Sequence, residues 1–416
     1  MVIARLAILI ATYLLIAVQR LPWGRVSRPL AALAGAVAMV TLGGLSLHDA
    51  YAAIDLDVMV FLLGVLVITA HLEAGGFFEW TAARVVLRAK SPRALLAAVV
   101  VSAGVLSAFF VNDTICLVLT PLVLAVVRPL DLKPLPYLLA LALAANVGSA
   151  MTPVGNPQNM LIAVKSGLPF GRFVVALALP SLGGLAIVFS VVAVAHRREL
   201  ARPLARAAGQ PVTADTAFDA RLVVRSLAVF GGALVAWLLG FSMPLVAIVG
   251  ATVLMLISGR DSARTLAAVE WPLLLFFGAL FVVMRGARDL PLVESLSLTA
   301  AHHLSGTALH DALVVSGAMA ALSNLVSNVP AVILWLPVVP GLAHAAFIWL
   351  AMAMASTFAG NLTLLGSMAN LIVAERAEAR GTRVGFVEYL RVGIPTTLLT
   401  LAWGVAVLVL VAGRSR

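Results

Sequence analysis

The chain has 416 residues, of which 62% are hydrophobic and only 11% charged, with a mean hydropathy of +1.09. A soluble chain of ordinary composition carries about 25% charged residues, so these proportions exclude a soluble globular protein and indicate a polytopic, all-α membrane protein in the lipid bilayer. The net charge of +10 would suit a nucleic-acid binder in a soluble protein, but the Lys and Arg residues lie in short loops between apolar runs, so no nucleic-acid partner is expected. The single cysteine, Cys116, excludes an intrachain disulfide and any multi-cysteine metal site.

Apolar runs predict spans near 2–19, 29–46 and 57–73. The first is read as a membrane helix, because Gln19-Arg20 follows it where a cleaved leader would have a small-residue site. An amphipathic stretch from Phe77 to Lys90 is expected along the interface. A hairpin at 93–127 comes next, with the polar triplet Asn112-Asp113-Thr114 between two apolar arms. It is followed by a broken span, 136–165, interrupted by Met-Thr152-Pro-Val-Gly155-Asn156-Pro157. A span at 173–195 closes the first half, which covers 1–196, and a polar cytoplasmic linker occupies 197–221.

The second half, 222–416, repeats this order, with spans near 222–239, 243–258 and 271–286 and an interfacial stretch containing His302 and His303. A second hairpin at 308–340 has Ser327-Asn328-Val329 at its tip. A second broken span, 343–380, is interrupted by Gly360-Asn361-Leu-Thr363-Leu-Leu-Gly366, and a final span covers 387–412. Setting Asn112 on Asn328 brings Ser107 onto Ser323 and Pro121 onto Pro337. In the broken spans Thr152, Gly155 and Asn159 fall on Thr363, Gly366 and Asn370. About ten membrane helices, two re-entrant hairpins and two broken helices are therefore expected.

Each half has five crossings, an odd number, so the second must be inverted relative to the first. The positive residues agree: Arg20, Arg25 and Arg28, the runs at 84–93, 128–133, 197–206 and 260–264, and Arg376 to Arg383 share one side, the cytoplasm of a cell (inner) membrane. Lys165, Arg285 and Arg288 are exceptions on the outer side.

Unpaired backbone at mid-membrane costs several kcal/mol per group, roughly, unless it lines a polar cavity. Hairpin tips and helix breaks therefore mark the site. Helix N-termini favour an anion there, while carbonyl, Asn and Ser oxygens favour a cation. Candidate substrate and ion contacts are Ser107, Asn112, Asp113, Thr114, Thr152, Gly155, Asn156 and Asn159 in the first half. Those in the second half are Ser323, Ser327, Asn328, Asn361, Thr363, Gly366 and Asn370. Na⁺ could sit at Ser107, Asn112 and Gly155, and at Ser323, Asn328 and Gly366. Asp113 is the one carboxylate placed near mid-membrane, and either caps the second hairpin arm or carries the coupling Na⁺ or H⁺. Its repeat partner is Val329. Cys116 reads as packing, His71, Glu73, His302 and His303 as interfacial, and Asp57 and Glu270 as capping or headgroup-facing.

Enzyme chemistry has no support. The chain lacks a His-Glu-x-x-His metal site, the Gly-x-Gly-Asp of membrane aspartyl proteases and a Gly-x-x-x-x-Gly-Lys phosphate loop, so no ATP drive within this chain and no cofactor beyond a coupling ion are expected.

At the hairpins and broken spans the chain resembles the ion transporter superfamily, which includes the citrate and dicarboxylate–sodium symporters, the arsenite permeases and one type of Na⁺/H⁺ antiporter. The dicarboxylate carriers have Ser-Asn-Thr at each hairpin tip, where this chain has Val111-Asn112-Asp113 and Ser327-Asn328-Val329. Ser107 and Ser323 match positions that line the sodium sites of those carriers, and Thr152-Pro-Val-Gly155-Asn-Pro-Gln-Asn159 looks like the broken-helix loop of the family. The Asn-Asp pair looks closer to the arsenite permease and antiporter branches, where a membrane acid suggests proton coupling. The resemblance implies a homodimer whose protomers each combine a scaffold with a mobile, elevator-type transport domain. The expected function is secondary transport of a small anion coupled to Na⁺ or H⁺. Arsenite or antimonite efflux, Na⁺/H⁺ exchange and an ion channel are the alternatives.

Overall fold

The protein is described by a computed structural model that places all residues except 19, 22–23, 87, 202–217, 289, 292–294, 296–301, 305, 343 and 415–416. Among the described residues the regular structure is helical, apart from a two-residue antiparallel pairing of Arg20–Leu21 with Gly24–Arg25. Many helices start where the sequence supplies a cap or a proline, since an N-terminal side-chain oxygen satisfies an otherwise unpaired amide. Ser91 Oγ accepts from Ala94 N at 3.1 Å ahead of Pro92, and Asn156 Oδ1 accepts from Asn159 N at 2.9 Å ahead of Pro157. Asp55 and Asp219 cap Leu56–Ala74 and Ala220–Leu238 in the same way, each at 3.0 Å.

Among the described residues six helices are long and apolar enough to cross a membrane: Leu56–Ala74, Pro92–Phe109, Phe170–Ala195, Ala220–Leu238, Ala308–Val326 and Phe386–Val411. Other apolar helices are shorter, including Val2–Val18, Arg28–Thr41, Met243–Ile257 and Trp271–Ala287. At 1.5 Å per residue, Arg28–Thr41 covers about 21 Å, less than the roughly 30 Å hydrocarbon core.

Both hairpins form. The first joins Pro92–Phe109 to Asn112–Val127, and the second joins Ala308–Val326 to Asn328–Trp335. The returning arm of the second is half the length of the first and runs into a 3₁₀ turn, Val339–Gly341. Both spans predicted to break do so, into Leu135–Ser149 with Pro157–Ser166 and Ala345–Ala359 with Met368–Glu378. Phe170–Ala195 and Phe386–Arg414 close the halves, each with an internal proline, Pro180 or Pro395.

The packing is reciprocal. Arg28–Thr41 lies on Trp271–Ala287, and Leu56–Ala74 on Met243–Ile257, so the second apolar helix of each half meets the third of the other. Pro92–Phe109 packs on Leu135–Ser149 as Ala308–Val326 packs on Ala345–Ala359. Asn112–Val127 meets Met368–Glu378, and Asn328–Trp335 meets Pro157–Ser166. The two closing helices pack on each other. Each of these contacts in one half has its counterpart in the other. The contacts also divide the helices into two groups. Val2–Val18, Arg28–Thr41, Leu56–Ala74, Ala220–Leu238, Met243–Ile257 and Trp271–Ala287 form a frame; the hairpins, broken spans and closing helices form a core.

Three expectations are corrected by the packing. His71 is not interfacial: it is 1% exposed inside Leu56–Ala74, with Nδ1 bonded to Val67 O at 2.8 Å. Arg28, expected in a cytoplasmic loop, is buried, and Glu270 faces a cavity instead of headgroups. Two of the outer-side basic exceptions are ion-paired, Lys165 with Asp55 and Arg285 with Asp49 at 3.3 Å. Cys116 packs as expected and is fully buried. His302 and His303 are exposed, but most of their stretch, and most of the linker at 197–221, lies outside the described residues.

Candidate functional site

Two polar layers are built from the hairpins and the broken spans. The deeper one is a buried network centred on Asn146, a residue of Leu135–Ser149 that is 1% exposed. Its Oδ1 accepts from Asn112 Nδ2 at 3.0 Å and from Ser367 Oγ at 2.9 Å. Its Nδ2 donates to Asn361 Oδ1 at 2.8 Å and to Asn370 Oδ1 at 3.0 Å. One side chain thus joins the first hairpin tip to the second broken span. Thr357 stands at the corresponding place in the second half, and its Oγ1 receives Asn156 Nδ2 and Gln158 Nε2, each at 3.3 Å.

The linkers of the broken spans are held alike. Asn159 Nδ2 donates to Ser149 O and Thr152 O, each at 3.2 Å, while Asn370 Nδ2 donates to Gly360 O at 2.8 Å and Thr363 O at 3.2 Å. These two acceptors sit at the same register in each half, so the sequence alignment of Asn159 with Asn370 is matched by this pair of bonds. Thr152 Oγ1 donates to Ala108 O on the first hairpin, and Thr363 Oγ1 to Asn324 Oδ1 on the second at 3.1 Å. Gly155 is required by close approach: an added Cβ would lie 2.2 Å from Ser149 O and 2.7 Å from Ser107 O. At Gly366 it would lie 2.6 Å from Asn324 Oδ1. The Asn112 amide, unpaired within its own helix, donates to Gly155 O at 3.0 Å.

The outer layer is a cavity of about 280 Å³ between frame and core. Its polar lining is Asn112, Asp113, Gln158, Ser327, Asn328 and Ser367 from the core with Arg28 and Glu270 from the frame. Asn112–Val127, Pro157–Ser166, Asn328–Trp335 and Met368–Glu378 all begin at this cavity, two from each half. Converging N-termini place partial positive charge at one spot, which favours an anion.

Of the predicted residues, Asn112, Asp113, Ser327 and Asn328 line the cavity. Thr114 is buried and does not line it. Thr152, Gly155, Asn156, Asn159, Asn361, Thr363, Gly366 and Asn370 do not reach it; Thr152, Gly155 and Thr363 tie the breaks to the hairpins, while Asn156, Asn159, Asn361 and Asn370 bond within the broken spans or between them. Ser107 and Ser323 are fully buried and their hydroxyls, like Asn328 Oδ1 and Asn159 Oδ1, have no partner among the described residues. Unpartnered oxygens are ligands of the kind that a hard cation such as Na⁺ takes. Asp113 does not cap its helix: no side chain caps that N-terminus. Nor is it the sole carboxylate at the site, since Glu270 shares the cavity.

Arg28, Asn146, Gln158, Glu270 and Ser367 were missed by sequence reasoning. Asn146 had a signal, being a lone amide in an apolar run; Arg28 and Glu270, at helix starts among other loop charges, had none.

A family model described as CitMHS, citrate transporter, matches residues 13–359. The chain is 33% identical to a protein of Oryza sativa subsp. japonica named silicon efflux transporter LSI3, over 92% of this chain and 93% of that one. It is 24% identical to the putative transporter arsB of Dictyostelium discoideum, over 95% and 89% respectively. The crystal structure of the Alcanivorax borkumensis YdaH transporter superposes with a TM-score of 0.60 at 18% identity, covering 98% of this chain and 96% of that chain.

Proposed function

The chain belongs to the CitMHS family of citrate transporters, and from that premise we propose that it is a secondary active transporter of a small anion driven by Na⁺ or H⁺. It is a multi-pass membrane transporter and not an enzyme. The observation that carries the finer reading is the cavity where four helix N-termini, two from each half, meet Asp113, Glu270 and Arg28.

In this reading the anion occupies the cavity, held by the amides of the helix starts and by the side chains of Asn112, Ser327, Asn328 and Ser367. Asp113 supplies the coupling. With its carboxylate charged the cavity repels an anion; with that charge neutralised by a proton or Na⁺ the anion is accepted, so the two travel together. The unpartnered oxygens of Ser107, Ser323 and Asn328 support Na⁺ sites behind the two tips. The halves are inverted in the membrane, and the core slides against the frame as an elevator, carrying the cavity from one side to the other. The dimer contact belongs to the frame, and the basic loops face the cytoplasm of the cell membrane.

The test is uptake of a labelled anion such as citrate into proteoliposomes with imposed Na⁺ or H⁺ gradients. Accumulation driven by one gradient is expected. Uptake indifferent to both removes the coupling. Export of arsenite is a second reading, because two carboxylates against one arginine suit a neutral hydroxylated solute; one relative is named a silicon efflux transporter and another a putative transporter arsB. Rescue of an arsenite-sensitive bacterial host by the expressed chain separates this reading from the first.

A further inference from the structure

Arg28 is placed where a cation is costly three times over. It is 6% exposed. It is the first residue of Arg28–Thr41, so its charge sits at the positive end of a helix dipole. Among the described residues it makes no ion pair, although Asp113 and Glu375 are close enough to act on it electrostatically. Its hydrogen bonds are sparse. Nη1 donates to Ser327 Oγ and Nη2 to Leu365 O, both at 3.3 Å, and Nε has no partner. A guanidinium presents five N–H donors in a planar fork, so most of its donor capacity is unused.

The backbone beneath it is fixed. Ser27 Oγ accepts from Leu30 N at 3.4 Å and Pro29 presets the first turn. The side chain therefore reaches the cavity from a rigid base on the frame, while every other anion-favouring group there belongs to the core. A buried, unpaired, under-bonded guanidinium facing four helix N-termini is the arrangement an oxyanion would complete.

We infer that Arg28 is the receptor for the transported anion, and that its fork selects an anion with two oxygens on one centre, a carboxylate or a tetrahedral oxyanion. This rests on the small-anion reading above and adds its specificity residue. Ser327 and the ligand compete for the same guanidinium, so anion binding loosens the one side-chain bond that Arg28 makes to the second hairpin tip.

Purified full-length protein in nanodiscs is titrated with sulfate, phosphate and citrate at constant ionic strength, with chloride as reference. At least one of the three binds the wild type. Arg28→Gln then weakens that anion by about 10- to 100-fold, as loss of a charged hydrogen-bonding partner does. Arg28→Lys, a point charge without the fork, restores only part of the affinity. Wild-type affinity in Arg28→Gln overturns the assignment. Should Arg28→Gln fail to give a monodisperse, cooperatively melting protein, Arg28→Lys decides alone, and wild-type affinity there overturns fork recognition. If none of the three anions binds the wild type, the small-anion reading fails first, before any substitution is made.

Discussion

Asn146 on the first broken span donates to Asn361 on the second at 2.8 Å, across the boundary between the two halves of the chain. The same Asn146 amide also binds Asn112, Ser367 and Asn370. One buried side chain therefore fixes a hairpin tip and an opposing break in common register, and the cavity geometry depends on it.

Replacing Asn146 with Ala orphans up to four buried polar groups at once. Single membrane hydrogen bonds are weak on average, but an orphaned buried group costs about 1–3 kcal/mol. A loss of roughly 3 kcal/mol and a lower apparent Tm are expected, along with weaker anion binding. An unchanged melting curve in nanodiscs would remove Asn146 from its central place.

Ser327 at the second hairpin tip has φ +81° and ψ 161°, a conformation open mainly to glycine. Ser327→Gly should relieve about 1–2 kcal/mol of backbone strain and raise Tm, while Ser327→Ala should not. Both lose the oxygen that accepts from Arg28. Equal melting temperatures for the two variants would contradict strain at the tip.

Gly155→Ala and Gly366→Ala press a methyl group against Ser149 O and Asn324 Oδ1 respectively. The Gly155 clash is with backbone and should cost about 1–3 kcal/mol with sharply reduced transport. At Gly366 the nearest atom is a side-chain oxygen and the nearest backbone oxygen, Gly360 O, would lie 2.9 Å away against 2.2 Å at Gly155, so its loss should be smaller. Thermal stability and proteoliposome uptake, measured on both variants, check this ranking.

Asp113→Asn fixes the neutral state of the coupling group. Transport should lose its dependence on the driving ion while anion binding persists or strengthens. Glu270→Gln should leave coupling present but shift its pH dependence, because one of the two cavity carboxylates is gone. Uptake measured against pH and Na⁺ tests the pair. Intact coupling in Asp113→Asn would transfer that role elsewhere, with Glu270 the first candidate.

Composition determined the membrane class. The pattern of apolar runs, prolines and glycines determined the element order, both hairpins, both breaks and the matching of Asn159 with Asn370. These features follow from interactions within a few residues, so hydropathy and backbone preference register them directly. Which residues meet in the cavity was decided only by tertiary structure. Arg28 and Glu270 read as loop charges because the sequence records proximity along the chain and not burial after packing; Trp271–Ala287 against Arg28–Thr41 brings their ends together beneath the hairpin tips. Thr152 and Thr363 read as lining and proved to be braces, because a polar group at a helix break is satisfied either by a ligand or by the neighbouring hairpin, and only the folded contacts show which.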